Sequence, residues 1–232
     1  MNRLLMMLAL ALGAAACSPR LSNGLRTSDL NKDVEMVTDK GTLIIRLSDS
    51  TPIHRDNFLR LVKAKYYDSI LFHRVINNFM VQGGDPNSKR AKAGVMLGEG
   101  GPAYTVPAEF RASLFHKKGV IAAAREGDDT NPLKASSGSQ FYLVQGKVFT
   151  EAGLDSLETY RLRRKIPADQ RAVYKTIGGT PHLDLNYTVF GEVISGLPVI
   201  DSIAKVATSR GEGGDRPVQD VRILKARLVK RQ

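Results

Sequence analysis

The sequence predicts a mainly β protein: an antiparallel barrel with two core helices and one helical insertion. Three features predict it. Eight short β-prone runs are punctuated by Gly, Pro and Asn, only two apolar-striped helices lie among them, and the βαβ rhythm of a parallel sheet is missing. A length of 232 residues suits one β-rich domain with embellishments and leaves too little chain for two.

Residues 34–38 and 42–47 flank Asp39, Lys40 and Gly41, which is hairpin chemistry with a glycine available for positive φ. Thr51 before Pro52 reads as an N-cap with proline at the first helical position. Phe58, Leu61 and Val62 then give that helix an apolar stripe ending near Lys65. Further strands are expected at 71–76, 79–82, 119–124, 140–144, 188–193 and 220–229. A second core helix is expected over 197–206, with Val199, Ile200 and Ile203 on one side. Residues 150–176 break the strand rhythm: Leu154, Leu157 and Tyr160 have helical spacing, and Pro167 can start another helix that Gly178 and Gly179 end. Arg161, Arg163, Arg164 and Lys165 make this insertion locally basic, either as a solvated face or as a docking surface for acidic partners.

Cys17 is the only cysteine, so no intrachain disulfide or cysteine-based metal site is available. Asn2 and Arg3 open a short basic segment, residues 4–12 are an apolar run too short to span a bilayer stably, and small residues 13–16 lead into Cys17. That order reads as a signal peptide over 1–16. A cysteine directly after the small residues resembles the bacterial lipobox, in which the thiol is diacylated and becomes the new N-terminus; ordinary secretory cleavage beside an incidental cysteine is the alternative. Two acyl chains give stable anchoring, so the expected place is a bacterial cell envelope, lipid-anchored and facing the periplasm. Residues 17–32, polar and containing Pro19, then form a tether, and 33–230 the folded domain.

A net charge of +11 admits nucleic acid, anionic headgroups or acidic clients as partners. The chain has no recognised nucleic-acid module, no aromatics interleaved with basic residues and no long single-sign block, which argues against nucleic acid. His54, His73, His116 and His182 show neither an HExxH pattern nor paired-ligand spacing, and the glycine-rich stretches lack the Walker lysine. No metal or other cofactor is therefore expected, and His73 reads as a packed or hydrogen-bonded core residue. A monomer is expected.

The densest chemistry lies in FHRVINNFMVQGGDP, residues 72–86. If its two halves are adjacent antiparallel strands, alternation places Phe72, Arg74 and Ile76 on one face and Met80 with Gln82 on one face, so that Arg74 and Gln82 share a pocket. By itself an arginine in a strand is more often a surface ion pair, and a Phe-Met pair more often core. The whole stretch, however, closely resembles the cyclophilin signature. GSQFYLV (138–144) resembles that family's second signature and TVFGEV (188–193) a third block; the opening hairpin, first helix and GEGGPAYTVPAEF (98–110) are also similar, so the resemblance covers about residues 34–229.

The resemblance implies an eight-stranded antiparallel β-barrel capped by two helices and a peptidyl-prolyl cis/trans isomerase acting on proline-containing polypeptides in flexible or unfolded chains. It implies Arg74 as the catalytic arginine, with Phe79, Met80, Gln82, Gln140 and Tyr142 lining the site. Ala124 and Arg125 match the strand that offers backbone groups to the peptide, and Leu183 and Tyr187 come from HLDLNYTVFG (182–191). Three positions depart from the best-known eukaryotic pattern: Arg125 replaces an asparagine, His182 a tryptophan and Tyr187 a histidine. The insertion lies where the family has a short connection. A noncatalytic peptide-binding or chaperone module on the same barrel is the alternative, disfavoured by retention of Arg74, Phe79, Met80, Gln82 and Gln140.

The N-terminal reading has a direct check. The mature protein is expected to carry acyl chains on Cys17 and to partition with envelope membranes, while Cys17→Ala fails to mature; mass spectrometry showing an unmodified Cys17 in the mature chain would refute it.

Overall fold

Antiparallel pairing of these runs produces one large sheet. The computed structural model describes residues 24–209 and 214–231. In chain order it contains β1 (Lys32–Thr38), β2 (Gly41–Leu47), α1 (Pro52–Lys63), β3 (Phe72–Ile76), β4 (Met80–Gly83), β5 (Thr105–Val106), β6 (Val120–Ala123), β7 (Ser136–Ser137) and β8 (Phe141–Val144). It continues with α2 (Glu151–Leu157), α3 (Ala168–Thr176), β9 (Val189–Ser195), α4 (Leu197–Ala204), β10 (Thr208–Ser209), β11 (Arg216–Pro217) and β12 (Ile223–Lys230). The eight-stranded sheet runs β12-β1-β2-β9-β6-β8-β4-β3, while β5–β7 and β10–β11 form two small pairs. The mainly β architecture matches the expectation, but closure is partial. The sheet curls as a half-barrel, and edge strands β3 and β12 meet at a single bridge between Leu71 and Arg222 instead of a full ladder. Backbone bonds from Ser69 to Ile223, Ile223 to Ile70 and Phe72 to Val221 reinforce the junction.

Period-two alternation divides the sheet into a core face and a site face. Val81, Phe141, Leu143, Ile121 and Ala123 point into the main core with residues of α1 and α4, whereas Met80, Tyr142, Val144, Val120 and Ala122 form a second apolar cluster. Phe58, Tyr67, Phe72, Phe141 and Phe190 fill the main core with tilted and edge-to-face ring contacts. β3 corrects the simple alternation read from sequence. Its pairing slips between Phe72 and Arg74, which face Gly83 and Gln82, so His73 is the extra residue of a bulge. The bulge turns Phe72 into the core while Arg74 and Ile76 stay on the site side.

α1 is also held differently from the sequence reading. Thr51 occupies the N-cap position with Pro52 following, but its side chain caps no helical N–H. The cap comes from Glu109, whose carboxylate accepts from the N–H groups of Ile53 (3.2 Å) and His54 (2.9 Å). The same carboxylate meets His54 Nδ1 at 2.7 Å, and His54 Nε2 meets Ser136 Oγ at 2.9 Å, closing a buried polar group.

The insertion consists of α2, a π-helical turn over Glu158–Leu162, and α3, with its own core of Leu154, Ile166 and Tyr174. α3 opens at Pro167 as expected: Pro167 holds the N-cap position, and its carbonyl accepts from the Arg171 N–H at 2.9 Å. Tyr160 does not continue the stripe of Leu154 and Leu157; the wider winding of the π turn leaves it 82% exposed. The expected signal peptide, Cys17 and the first part of the expected tether lie outside the described residues. From Gly24 onward that segment rests on the domain: Leu25 is buried, and the carboxylate of buried Asp29 meets Lys63 at 2.6 Å.

Burial makes the fold sensitive to acid. His73 is 2% exposed with neither ring nitrogen hydrogen-bonded, and burial pushes its pKa down to about 4; burial also lowers His54, against the pull of Glu109. Between about pH 4 and the ordinary value of 6.5 the unfolded chain binds protons that the native chain refuses, so this stability is complete above 6.5 and lost as pH falls toward 4. His73 alone is expected to remove about 2 kcal/mol between pH 7 and pH 5. Urea titrations of the intact protein and His73→Leu at both pH values check it; an equal pH dependence in both would contradict the assignment.

Candidate active site

Register builds the site. Across four neighbouring strands Arg74 on β3 stands opposite Gln82 on β4, Gln82 opposite Tyr142 on β8, and Tyr142 opposite Ala122 on β6. One row on one face therefore carries a guanidinium, an amide, a phenol and a methyl group. The next row pairs Ile76 with Met80 and Met80 with Val144, supplying the apolar base. Phe79 enters from the β3–β4 turn, where its carbonyl accepts from the N–H groups of Gln145 and Gly146, and Asn78 at φ 61° donates its N–H to Gln145 Oε1.

The opposite wall is the segment after the insertion. Gly179 bridges to both Lys117 and Lys147, and a Cβ there would lie 2.2 Å from the His116 carbonyl, so only glycine permits this approach. The Thr180 N–H then donates to that carbonyl at 2.8 Å, and a 3₁₀ turn over Pro181–Leu183 leads Leu183 and Tyr187 onto the cluster that contains Tyr142. Tyr187 meets Tyr142 edge-on at 6.0 Å.

Arg74, Phe79, Met80, Gln82, Ala124, Arg125, Tyr142, Leu183 and Tyr187 line one cavity of about 120 Å³. Gln140 does not line it. It lies in an adjoining groove of about 680 Å³, to which Gln82, Ala124 and Arg125 also contribute. A chain of amides joins the two: Arg74 Nη1 approaches Gln82 Oε1 at 3.4 Å, Gln82 Nε2 donates to Gln140 Oε1 at 3.1 Å, and Gln140 Nε2 donates to the carbonyls of Gly98 (2.6 Å) and Gly100 (2.9 Å). The Arg74 side chain is 44% exposed, and its Nε lies 4.0 Å from Asp215. It stands at the cavity edge, oriented but still open to a ligand.

Two readings of backbone groups are refined. The Ala124 N–H donates to Gln140 and its carbonyl accepts from Ser137, so Ala124 presents a methyl group to the cavity, not free backbone. Arg125 lines the cavity with a side chain that is already tied down. Its guanidinium lies 4.5 Å over the Tyr187 ring, donates to Asn186 O at 2.8 Å and pairs with Asp128 at 2.7 Å.

Sequence reading noted His182 only as a departure. The imidazole stacks on Phe79 at 5.5 Å, and burial, aided by the positive charge of nearby Arg161, pushes its pKa down to about 4. Sequence reading weighs His116 only as a metal ligand and does not single out Asp184 within HLDLNYTVFG, yet His116 Nε2 meets the Tyr142 hydroxyl at 2.9 Å and His116 Nδ1 meets Asp184 at 2.9 Å. For the rim, an NMR pH titration is expected to show His182 neutral down to about pH 5 and protonating near 4. A midpoint near the ordinary imidazole value would mean that the stack on Phe79 is not maintained.

The family model for "Cyclophilin type peptidyl-prolyl cis-trans isomerase/CLD" matches residues 33–228. A Staphylococcus haemolyticus relative named for peptidyl-prolyl cis-trans isomerase activity is 35% identical over 204 residues, covering 88% of this chain and 93% of that protein. A similarly named Staphylococcus aureus relative is 36% identical over 200 residues, covering 83% and 92%. Among solved structures, a cyclophilin-type isomerase of Cryptosporidium parvum superimposes with a TM-score of 0.63 at 21% identity, covering 87% of this chain and 99% of that one. Its structure in the presence of the dipeptide Ala-Pro gives 0.62 at 21%, covering 86% and 99%. With a family model matched over nearly the whole described chain, and relatives more than a third identical along almost their full length, the chain belongs to the cyclophilin-type peptidyl-prolyl cis-trans isomerases.

Proposed function

We propose that this isomerase rotates Xaa-Pro bonds by directing the Arg74 guanidinium at the prolyl nitrogen while the neighbouring cavity holds the proline ring. Amide resonance sets the uncatalysed barrier at about 18–20 kcal/mol. As the bond twists, conjugation is lost and the nitrogen lone pair becomes a hydrogen-bond acceptor. A donor at that nitrogen therefore favours the twisted state over both planar ground states. Arginine suits this because it stays charged and offers several N–H groups in a fixed plane. An acceleration of about 10⁴-fold needs only about 5.5 kcal/mol of differential stabilisation, with no bond made or broken.

The observation that carries this reading is the position of Arg74. It shares a strand row with Gln82 and Tyr142 and borders an apolar cavity formed with Phe79, Met80 and Leu183. Phe79, Met80, Tyr142 and Leu183 hold the ring, with the Ala124 methyl and Tyr187 completing the wall. Gln82, Gln140 and the Arg125 backbone fix the flanking peptide along the adjoining groove. The substrates are proline-containing polypeptides; the Ala-Pro dipeptide of the Cryptosporidium parvum structure is of this class. The basic, apolar, small, cysteine order of residues 2–17 supports anchoring by lipid at Cys17 and action on envelope proteins.

Arg74→Ala is expected to lower kcat/KM on a short Xaa-Pro peptide by about 10²-fold or more. The unfolding midpoint should hardly move, because the side chain is 44% exposed and its ion pair is long. Arg74→Lys, which keeps the charge but loses the planar fork, should recover only part of the activity. A folded Arg74→Ala protein with undiminished turnover would sink the mechanism.

A further inference from the structure

We propose that Tyr174, on α3 of the insertion, is a positioning residue for the isomerase site: through Asp184 and His116 it fixes the Tyr142 hydroxyl and the adjoining Leu183–Tyr187 wall. The proposal rests on the isomerase reading of the cavity, and it gives the insertion a role in the reaction.

The path is continuous and buried. The Tyr174 hydroxyl donates to Asp184 Oδ2 at 2.7 Å. Asp184 Oδ1 accepts from the His116 backbone N–H at 2.7 Å and lies 2.9 Å from His116 Nδ1. His116 Nε2 lies 2.9 Å from the Tyr142 hydroxyl. Tyr174 and His116 are fully buried, and Asp184 and Tyr142 are 4% exposed. A ring that donates from Nδ1 to the carboxylate can, in its neutral tautomer, accept the Tyr142 hydroxyl proton at Nε2. Burial holds the Tyr142 hydroxyl well above the usual phenol range, keeping that proton in place.

The same carboxylate fixes the second wall. Asp184 follows Leu183 directly, and the Leu183 carbonyl accepts from the N–H groups of Asn186 and Tyr187. Tyr174 is itself anchored on a rigid platform. Its ring packs edge-on against Phe115 and Phe149. Around it, Arg171 ties Glu151, Asp155 and Glu158 together, and Glu158 also accepts from the Ile166 N–H at 2.9 Å. A buried network satisfied at every link has one low-energy arrangement, so removing a distant member loosens the near one.

Tyr174→Phe deletes one hydroxyl and keeps the ring packing. KM for a short Xaa-Pro peptide should rise about three- to tenfold with kcat within about twofold, because the wall meets the proline in ground and transition states alike. In a Tyr142→Phe background, where the branch through His116 is already cut and only the Leu183–Tyr187 wall remains to be loosened, the same substitution should raise KM by a clearly smaller factor. An unchanged KM despite a lowered melting temperature would make the network purely structural and overturn the proposal. So would an equal rise in both backgrounds, since the effect would then bypass Tyr142. If Tyr174→Phe does not fold, Tyr142→Phe alone must raise KM by the same factor, and an unchanged KM overturns it. Calorimetric affinities for the peptide, measured on the same four proteins, carry the same cycle without turnover. A chain that binds peptide with these shifts but never isomerises it supports the positioning role and counts against the isomerase reading.

Discussion

The two-residue period of β3, β4, β8 and β6 is the constraint on which the rest depends. Each strand must bury one set of side chains in the main core and present the other set to the cavity. Val81, Phe141, Leu143 and Ile121 satisfy the first demand, and Met80, Gln82, Tyr142 and Ala122 the second. A one-residue slip in any strand would exchange the two sets and place Gln82 and Tyr142 in the core. Apolar burial in the interior thereby specifies the register of the polar row outside. β3 meets both demands only through the His73 bulge, which keeps Phe72 inside and Arg74 outside.

Polar groups bind the peripheral elements to that sheet. Glu109, far from α1 in sequence, caps the helix and receives His54, so one carboxylate orients α1 relative to the stretch leading into β6. Asp184 acts in the same way on the other side, joining α3, His116 and the turn that carries Leu183. In both places a single carboxylate accepts several donors, which offsets the cost of burying its charge. Two other arginines are tied down by carboxylates. Arg171 is held by Glu151, Asp155 and Glu158 in the insertion, while Arg125 lines the cavity with its guanidinium over the Tyr187 ring and paired to Asp128.

The insertion packs behind the pocket. A small core of Leu154, Ile166 and Tyr174 supports it, and the π turn at Glu158–Leu162 leaves Tyr160 exposed and sets the charge of Arg161 near His182. A neutral His182 stacked on Phe79 gives the rim an aromatic face without adding charge.

Sequence by itself determined the fold class, the hairpin, both core helices, the insertion and nine of the residues that line one cavity, with Gln140 in the adjoining groove. These were legible because apolar alternation, turn residues and long contiguous motifs are local properties of the chain. Tertiary structure decided what depends on partners distant in sequence. It put the cap of α1 on Glu109 instead of Thr51, used up the backbone groups of Ala124, left the sheet joined at one bridge and turned Tyr160 to solvent. It also brought Tyr174, Asp184 and His116 behind Tyr142. A side chain's local surroundings in sequence cannot show which buried donor or acceptor it must satisfy; only packing, which removes water from both groups at once, chooses the pair.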